Sequence, residues 1–374
     1  MPMYIPFLDL RQQYLELEKE IDAAVLRTLK SGWYVLGNEV SDFEEQFSRY
    51  LAGGTQGYAV GVNSGTDALK LSLLAAGVGP GDEVVTVANT AIPTVSAICS
   101  IGAVPVFCDV DPGNWLLDPR LLEECITGHT KAVVPVHLYG SVCAMDEIMS
   151  VAGRYGLAVV EDVAQATGAR WRGAQCGTVG DFGAFSFYPS KNLGACGDGG
   201  AIFVRTEKQR DLLCRLRNYG QNGRYFADEQ HGVNSRLDEV QAAVLVVKLG
   251  HLERWNGARR SLAQTYSREI AKRDLPVAVQ VHLPETSPAN HLFVVTVPAA
   301  SRMRIMEQME RYGVQTLIHY SHPLYRQPAF IKHFRKPNPV AEFLCASVLS
   351  LPFHPYLDLA QITHVVDSLE RSLP

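Results

Sequence analysis

No run of basic residues occurs anywhere in this chain, and its formal net charge is −5, so nothing in it favours a nucleic-acid or anionic-membrane partner. No apolar stretch reaches the length of a membrane helix. The opening residues, MPMYIPFLDLRQQY, lack the basic region and apolar core of a signal peptide. The expectation is therefore a cytoplasmic protein that does not enter membranes. Cysteine is sparse and scattered: eight residues, with no C-x-x-C and no metal-like His/Cys pairing. They read as reduced, mostly buried thiols, and no metal is expected. A G-x-G-x-x-G fingerprint is also missing. The first strand-to-helix turn reads V-N-S-G-T-D, which speaks against a Rossmann-type NAD or nucleotide-sugar binder.

What is present is a regular alternation. Helical spacing covers residues 15–30 and 40–51, followed by strand 58–62, helix 68–76, strand 83–87, helix 93–101 and strand 104–108. Helix 119–126, strand 132–137, helix 145–155 and strand 157–161 continue it. Such alternation predicts an α/β fold with a mainly parallel sheet flanked by helices. From residue 235 a sustained helical pattern runs on towards residue 272, and short elements follow to a last helix at 359–373. With 374 residues the chain has length for a large domain, 1–250, and a small C-terminal α/β domain, 251–374.

The segment DFGAFSFYPSKNLGACGDGG, residues 181–200, concentrates the chemistry. An apolar strand ends in a Pro-Ser turn, then Lys191, then glycines at 194, 197, 199 and 200. Lysine is ordinarily a solvated charge. Small neighbours and few other charges suit instead a partly desolvated amine able to form a Schiff base with a carbonyl compound. Ser64, Gly65 and Thr66 follow a strand and open a helix, where amide N–H groups and the helix dipole favour an anion; a routine N-cap has the same residues. The strand ending in Glu161 and Asp162 puts two acids at a strand's carboxyl end, where such sheets bind ligands; an Asp there also caps turns.

FSFYPSKNLGACGDGGA resembles the Schiff-base lysine segment of the DegT/DnrJ/EryC1/StrS sugar aminotransferases, enzymes of the aspartate aminotransferase-like (fold type I) class that use pyridoxal 5'-phosphate. The resemblance runs from IPFLDL to LSLPFHP and covers nearly the whole chain. It implies that Lys191 carries the cofactor and that Gly65, Thr66 and Ser186 bind its phosphate. It further implies that Asp162 faces the ring nitrogen and that Gln165 lies near the phenolic oxygen. Asn234 matches an asparagine that reaches the phosphate from a partner subunit, which implies a homodimer with shared active sites. One departure is Ala91, where many members carry an aromatic residue that stacks on the ring; no stacking residue is assigned.

The resemblance implies transfer of an amino group from L-glutamate, leaving 2-oxoglutarate, to a keto-sugar nucleotide in two ping-pong stages. Tyr219, Tyr225 and Arg236, in a polar loop, are candidates for the sugar diphosphate, the alternative being a solvated loop. His319 and Tyr320 match an IHYP-like strand near the active site. The motif Val136-His-Leu-Tyr-Gly140 is similar to the form associated with C3 amination, which favours a dTDP-linked 3-keto-6-deoxyhexose over a C4 acceptor. A pyridoxamine-dependent dehydratase would carry histidine in place of Lys191. A non-catalytic regulator of the same fold is the rival from another class, and no basic helix-turn-helix supports it.

Overall fold

A computed structural model describes residues 3–374. Its helices are α1 (Leu10–Ser31), α2 (Asn38–Ala52), α3 (Gly65–Ala75), α4 (Ile92–Ser100), α5 (Pro119–Leu122), α6 (Met145–Tyr155), α7 (Glu207–Leu216), α8 (Glu239–Leu249), α9 (Leu252–Lys272), α10 (Arg302–Arg311), α11 (Pro339–Ser347) and α12 (Leu359–Ser372). The strands are β1 (Tyr58–Val62), β2 (Glu83–Val87), β3 (Val104–Cys108), β4 (Thr130–Val133), β5 (Ala158–Asp162), β6 (Arg170–Trp171), β7 (Ala174–Gln175), β8 (Phe182–Ser186), β9 (Gly200–Val204), β10 (Ala278–Val279), β11 (Thr286–Ser287), β12 (Phe293–Thr296) and β13 (Val348–Leu351).

Seven strands form one sheet in the order β1-β9-β8-β5-β4-β2-β3. All neighbours pair in parallel except β9, which runs against both β1 and β8. Because β9 reverses between them, β1, β5 and β8 still end at the same edge. That edge is where the candidate residues collect. One face is closed by α2: Phe43 and Phe47 meet Phe187 and Phe185 edge-on, with ring centroids 5.1–5.4 Å apart. The other face is covered by α3, α4 and α7 through Leu69, Leu71, Ile98 and Leu213.

Two small antiparallel sheets complete the fold, β10-β12-β13 and β11-β6-β7. The first is packed by α9, α10 and α12 into a separate core that includes Tyr266, Phe293, Val365 and Leu369. Ile5 from the N-terminus joins this core, and its backbone pairs with Gly313 and Gln315. Among the described residues no helix is long and apolar enough to cross a membrane.

Two local departures from the sequence reading have clear causes. The helical pattern from residue 235 is interrupted at Gly250 and His251, giving α8 and α9 instead of one rod. Its first residues are also not helical: Asp238 is extended and α8 begins only at Glu239. Helix α2 starts at Gly37, which has no side chain to cap it. The buried Glu239 carboxylate supplies the cap from afar, accepting the N–H groups of Gly37 (2.7 Å), Glu39 (2.8 Å) and Val40 (3.1 Å). Removing it strands three donors. Glu239→Ala is expected to cost about 2–3 kcal/mol of stability, read as a lower urea midpoint; an unchanged midpoint contradicts the cap.

Candidate active site

A cavity of about 480 Å³ opens at the shared edge of β1, β5 and β8. Gly65, Thr66, Asp162, Gln165, Ser186, Lys191 and His319 all line it, as the sequence reading placed them in one site.

At one end, β1 runs into α3. The Ser64 hydroxyl accepts the Asp67 N–H at 3.2 Å, so Ser64 is the N-cap and the free N–H groups of the first turn stay with Gly65 and Thr66. Gly65 is required by packing: a Cβ there would lie 2.5 Å from Cβ of Ser186. Gly200 has the same constraint, since its Cβ would meet the Ser64 carbonyl at 2.4 Å. The two glycines thus let a helix N-terminus press against β8, with the hydroxyls of Thr66 and Ser186 beside it. That donor set suits a phosphate.

At the other end lies Asp162, only 4% exposed. Its carboxylate accepts the Thr94 hydroxyl at 2.9 Å and the Ala164 N–H at 3.1 Å. Burial raises its pKa, and those two donors with the charge of Lys191 pull only partly the other way. A buried carboxylate with this incomplete compensation suits a cationic partner. Lys191 sits in the turn after β8, its N–H bonded to the Tyr188 carbonyl at 2.8 Å. Burial lowers its amine to about 8, against the opposing charge of Asp162. Lys191 and Asp162 therefore face one enclosed space as a nucleophile and an acid. A phosphorylated aromatic aldehyde with a basic ring nitrogen fits this arrangement of donors.

Neighbouring side chains are tied together. Gln165 accepts the Tyr139 N–H at 2.7 Å and donates to the Tyr320 hydroxyl at 2.9 Å. Burial pushes Tyr320 up to about 12. His319 bonds Ser350 at 2.8 Å and is stacked on Phe7; burial, then the Lys191 charge, hold it down at about 4. Its carbonyl receives the Tyr139 hydroxyl. Thr90, Ala91 and Pro93 form a wall of small residues where an aromatic was missing from the sequence.

Glu161, beside Asp162, points to the other face of β5, as strand alternation requires. It accepts N–H groups from Gly177 (2.8 Å), Val179 (2.8 Å) and Gly180 (2.7 Å), and pairs with His137 at 2.9 Å. Glu161, His137 and Cys176 lie within metal-ligating range of one another. Both imidazole nitrogens and both carboxylate oxygens are already engaged by the protein, the second nitrogen by the Cys143 N–H at 3.1 Å. The cluster is an anchor for the loop into β8.

Four candidates do not line this cavity: Asn234, Tyr219, Tyr225 and Arg236. Asn234 is exposed and bridges to Asn218. Arg236 donates to Asn218 at 3.1 Å and lies over the Tyr219 ring, while Tyr225 is 84% exposed. Conversely, Thr94 and His291 line the cavity without having been found in the sequence. Each is delivered by tertiary contact from elements whose local pattern carries no chemical signal.

The fold and site are those of a pyridoxal-phosphate-dependent transferase. Residues 15–370 match the DegT/DnrJ/EryC1/StrS aminotransferase family. The "Erythromycin biosynthesis sensory transduction protein EryC1" of Saccharopolyspora erythraea is 46% identical over 98% of this chain and 99% of its own. The dTDP-3-amino-3,4,6-trideoxy-alpha-D-glucose transaminase of Streptomyces venezuelae is 44% identical over 98% and 96%. Among solved structures, DesV of S. venezuelae in complex with a ketimine intermediate superposes with a TM-score of 0.94 at 43% identity, over 100% of this chain and 99% of that one. NtdA of Bacillus subtilis, solved with bound cofactor PMP, superposes with a TM-score of 0.91 at 30% identity, over 99% and 85%. The chain belongs to the DegT/DnrJ/EryC1/StrS aminotransferase family, and it is a pyridoxal-phosphate-dependent sugar-nucleotide transaminase.

Only the neutral form of an amine attacks an aldehyde. The rate at which the cofactor-free protein turns yellow with pyridoxal phosphate is expected to rise with pH to a midpoint at about 8. A midpoint above 10, that of a solvated lysine, contradicts the desolvated site.

Proposed function

We propose that this protein moves an amino group from L-glutamate to the keto group of a dTDP-linked 3-keto-6-deoxyhexose, giving a dTDP-3-amino-3,6-dideoxyhexose. The observation that carries the catalytic reading is one cavity holding a desolvated lysine, a buried carboxylate and a helix N-terminus. Bound pyridoxal phosphate supplies an aldehyde that condenses with amines and a cationic ring that takes up the electrons of a broken Cα–H bond.

The chain's own residues supply the rest. The N–H groups of Gly65 and Thr66 and the hydroxyls of Thr66 and Ser186 hold the phosphate. Asp162, oriented by Thr94 and Ala164, keeps the ring nitrogen protonated. Lys191 would hold the cofactor through its amine, and that amine, once displaced by the amino donor, would take the proton from Cα and return it at C4′ of the cofactor. Gln165, bonded to Tyr320, would serve the phenolic oxygen. Asn234, Tyr219, Tyr225 and Arg236 serve the site of a partner subunit in a homodimer, which accounts for their place outside their own cavity. The chain divides near residue 250, a reading supported by the break at Gly250 and the separate core of α9, α10 and α12.

Amination at C3 is supported by the VHLYG motif and by the activity in the name of the Streptomyces venezuelae relative. Val136 of the motif lines the cavity, and Tyr139 lies behind its wall. Tyr139 is buried, and its N–H, hydroxyl and carbonyl engage Gln165, the His319 carbonyl and the His291 N–H. A regulator in the sense of the EryC1 name has no use for Lys191 and Asp162 in one cavity.

The purified protein is expected to be yellow, to bleach with L-glutamate and to regain colour with the 3-keto sugar nucleotide. Lys191→Ala should lose about a hundred- to ten-thousandfold or more in turnover. Turnover close to that of the wild type overturns the lysine assignment, and recovery of colour only with 4-keto sugars overturns the C3 reading.

A further inference from the structure

His291 is a cavity-lining residue that the mechanism above leaves without a role, and its ring is fixed by a chain of amides. Asn256 donates through Nδ2 to the Thr167 carbonyl at 3.0 Å, a contact that sets which way its amide points. Its Oδ1 therefore accepts, and it receives Nδ2 of Asn192 at 2.8 Å. The same Nδ2 also donates to the Ala289 carbonyl at 2.9 Å, so Asn192 Oδ1 is an acceptor too. His291 Nδ1 lies 3.1 Å from that oxygen and must carry the proton. The backbone is held as well: the His291 N–H donates to the Tyr139 carbonyl at 2.8 Å, and its carbonyl accepts from Arg259 at 3.2 Å.

Burial, then the charges of Lys191 and Arg259 and the neighbouring His319, keep the imidazole well below its usual pKa and so neutral. With Nδ1 protonated, Nε2 carries a lone pair. Nε2 has no hydrogen-bond partner among the described residues, although the residue is only 5% exposed. A neutral ring so placed offers the cavity an acceptor and no charge.

We propose that Nε2 of His291 is a specificity contact that accepts a hydrogen bond from a hydroxyl of the acceptor sugar next to the keto carbon. This rests on the keto-sugar reading given above. A hexose offers such hydroxyls and glutamate offers none, so the contact belongs to the second stage of transfer only. A hydroxyl donates to a neutral acceptor, and its loss leaves a buried lone pair unpaired, which is how sites built for a hydroxyl reject the deoxy analogue.

The test separates the two stages in the cofactor-loaded protein, with dTDP-3-keto-6-deoxyglucose and its 2-deoxy and 4-deoxy counterparts as acceptors. His291→Asn puts an amide nitrogen where Nδ1 donates and removes the atom at Nε2. His291→Gln puts an amide group back near Nε2. The expected result is an unchanged glutamate stage in His291→Asn, which also reports that the variant is folded. The sugar stage should fall about five- to tenfold in kcat/KM on the fully hydroxylated acceptor, with partial rescue in His291→Gln. On one of the two deoxy acceptors the wild type should already be slow and His291→Asn should add no further loss. Equal slowing of both stages overturns the assignment, because it places Nε2 on the Lys191 amine or in the framework. So does the same loss on all three sugars. A wild type that glutamate bleaches but that consumes none of the sugars refutes the keto-sugar reading itself, and the assignment falls with it.

Discussion

A carboxylate taken out of water has to be compensated, and Asp162 is the residue where this chain leaves the compensation open. Its two protein donors, Thr94 and Ala164, orient it without neutralising it, and the remaining attraction comes from Lys191 across the cavity. The same burial drives the lysine the other way, towards the neutral amine. Two groups of opposite sign are thus each made less comfortable in their charged forms, and a ligand with a basic ring and an aldehyde relieves both. The sheet supplies the geometry: with β9 reversed, the ends of β1, β5 and β8 meet at one edge and bring the phosphate donors to the same space.

Two other buried carboxylates are handled in the opposite manner. Glu161 is covered by three N–H groups and an imidazole, and Glu239 by three N–H groups at the start of α2. Both are fully served, so both are framework. The contrast between a saturated carboxylate and an unsaturated one, on adjacent residues of β5, separates structure from function more sharply than burial does. Behind the cavity, Tyr139 gathers Gln165, His291 and the His319–Tyr320 segment, while Val136 of the same motif lines the cavity directly.

Much of this was legible in the chain because the key groups are local. Lys191 follows a strand and precedes glycines, Gly65 and Thr66 open a helix, and Asp162 ends a strand; these local patterns also suit ordinary structural roles, and the family resemblance of the segments around them made the assignments. The alternation of strands and helices likewise fixed the sheet class. Thr94 and His291 were not legible, since their place depends on which helix and which loop dock against β5 and the Lys191 turn. The interruption between α8 and α9 was missed for a related reason: a glycine inside a helical pattern signals a break only when packing demands one. Glu239 reaches α2 across some two hundred residues of chain, a contact that periodicity cannot express. Asn234, Tyr219, Tyr225 and Arg236 have the right chemistry but lie outside their own chain's cavity.

The central claim is that Asp162 holds a proton on the ring nitrogen of the bound cofactor. The ¹⁵N resonance of ring-labelled pyridoxal phosphate, recorded in the wild type and in Asp162→Ala, tests it directly. The account predicts a protonated, pyridinium-type resonance in the wild type and an unprotonated one in the variant. An unprotonated ring nitrogen in the wild type, or the same resonance in both, would contradict it.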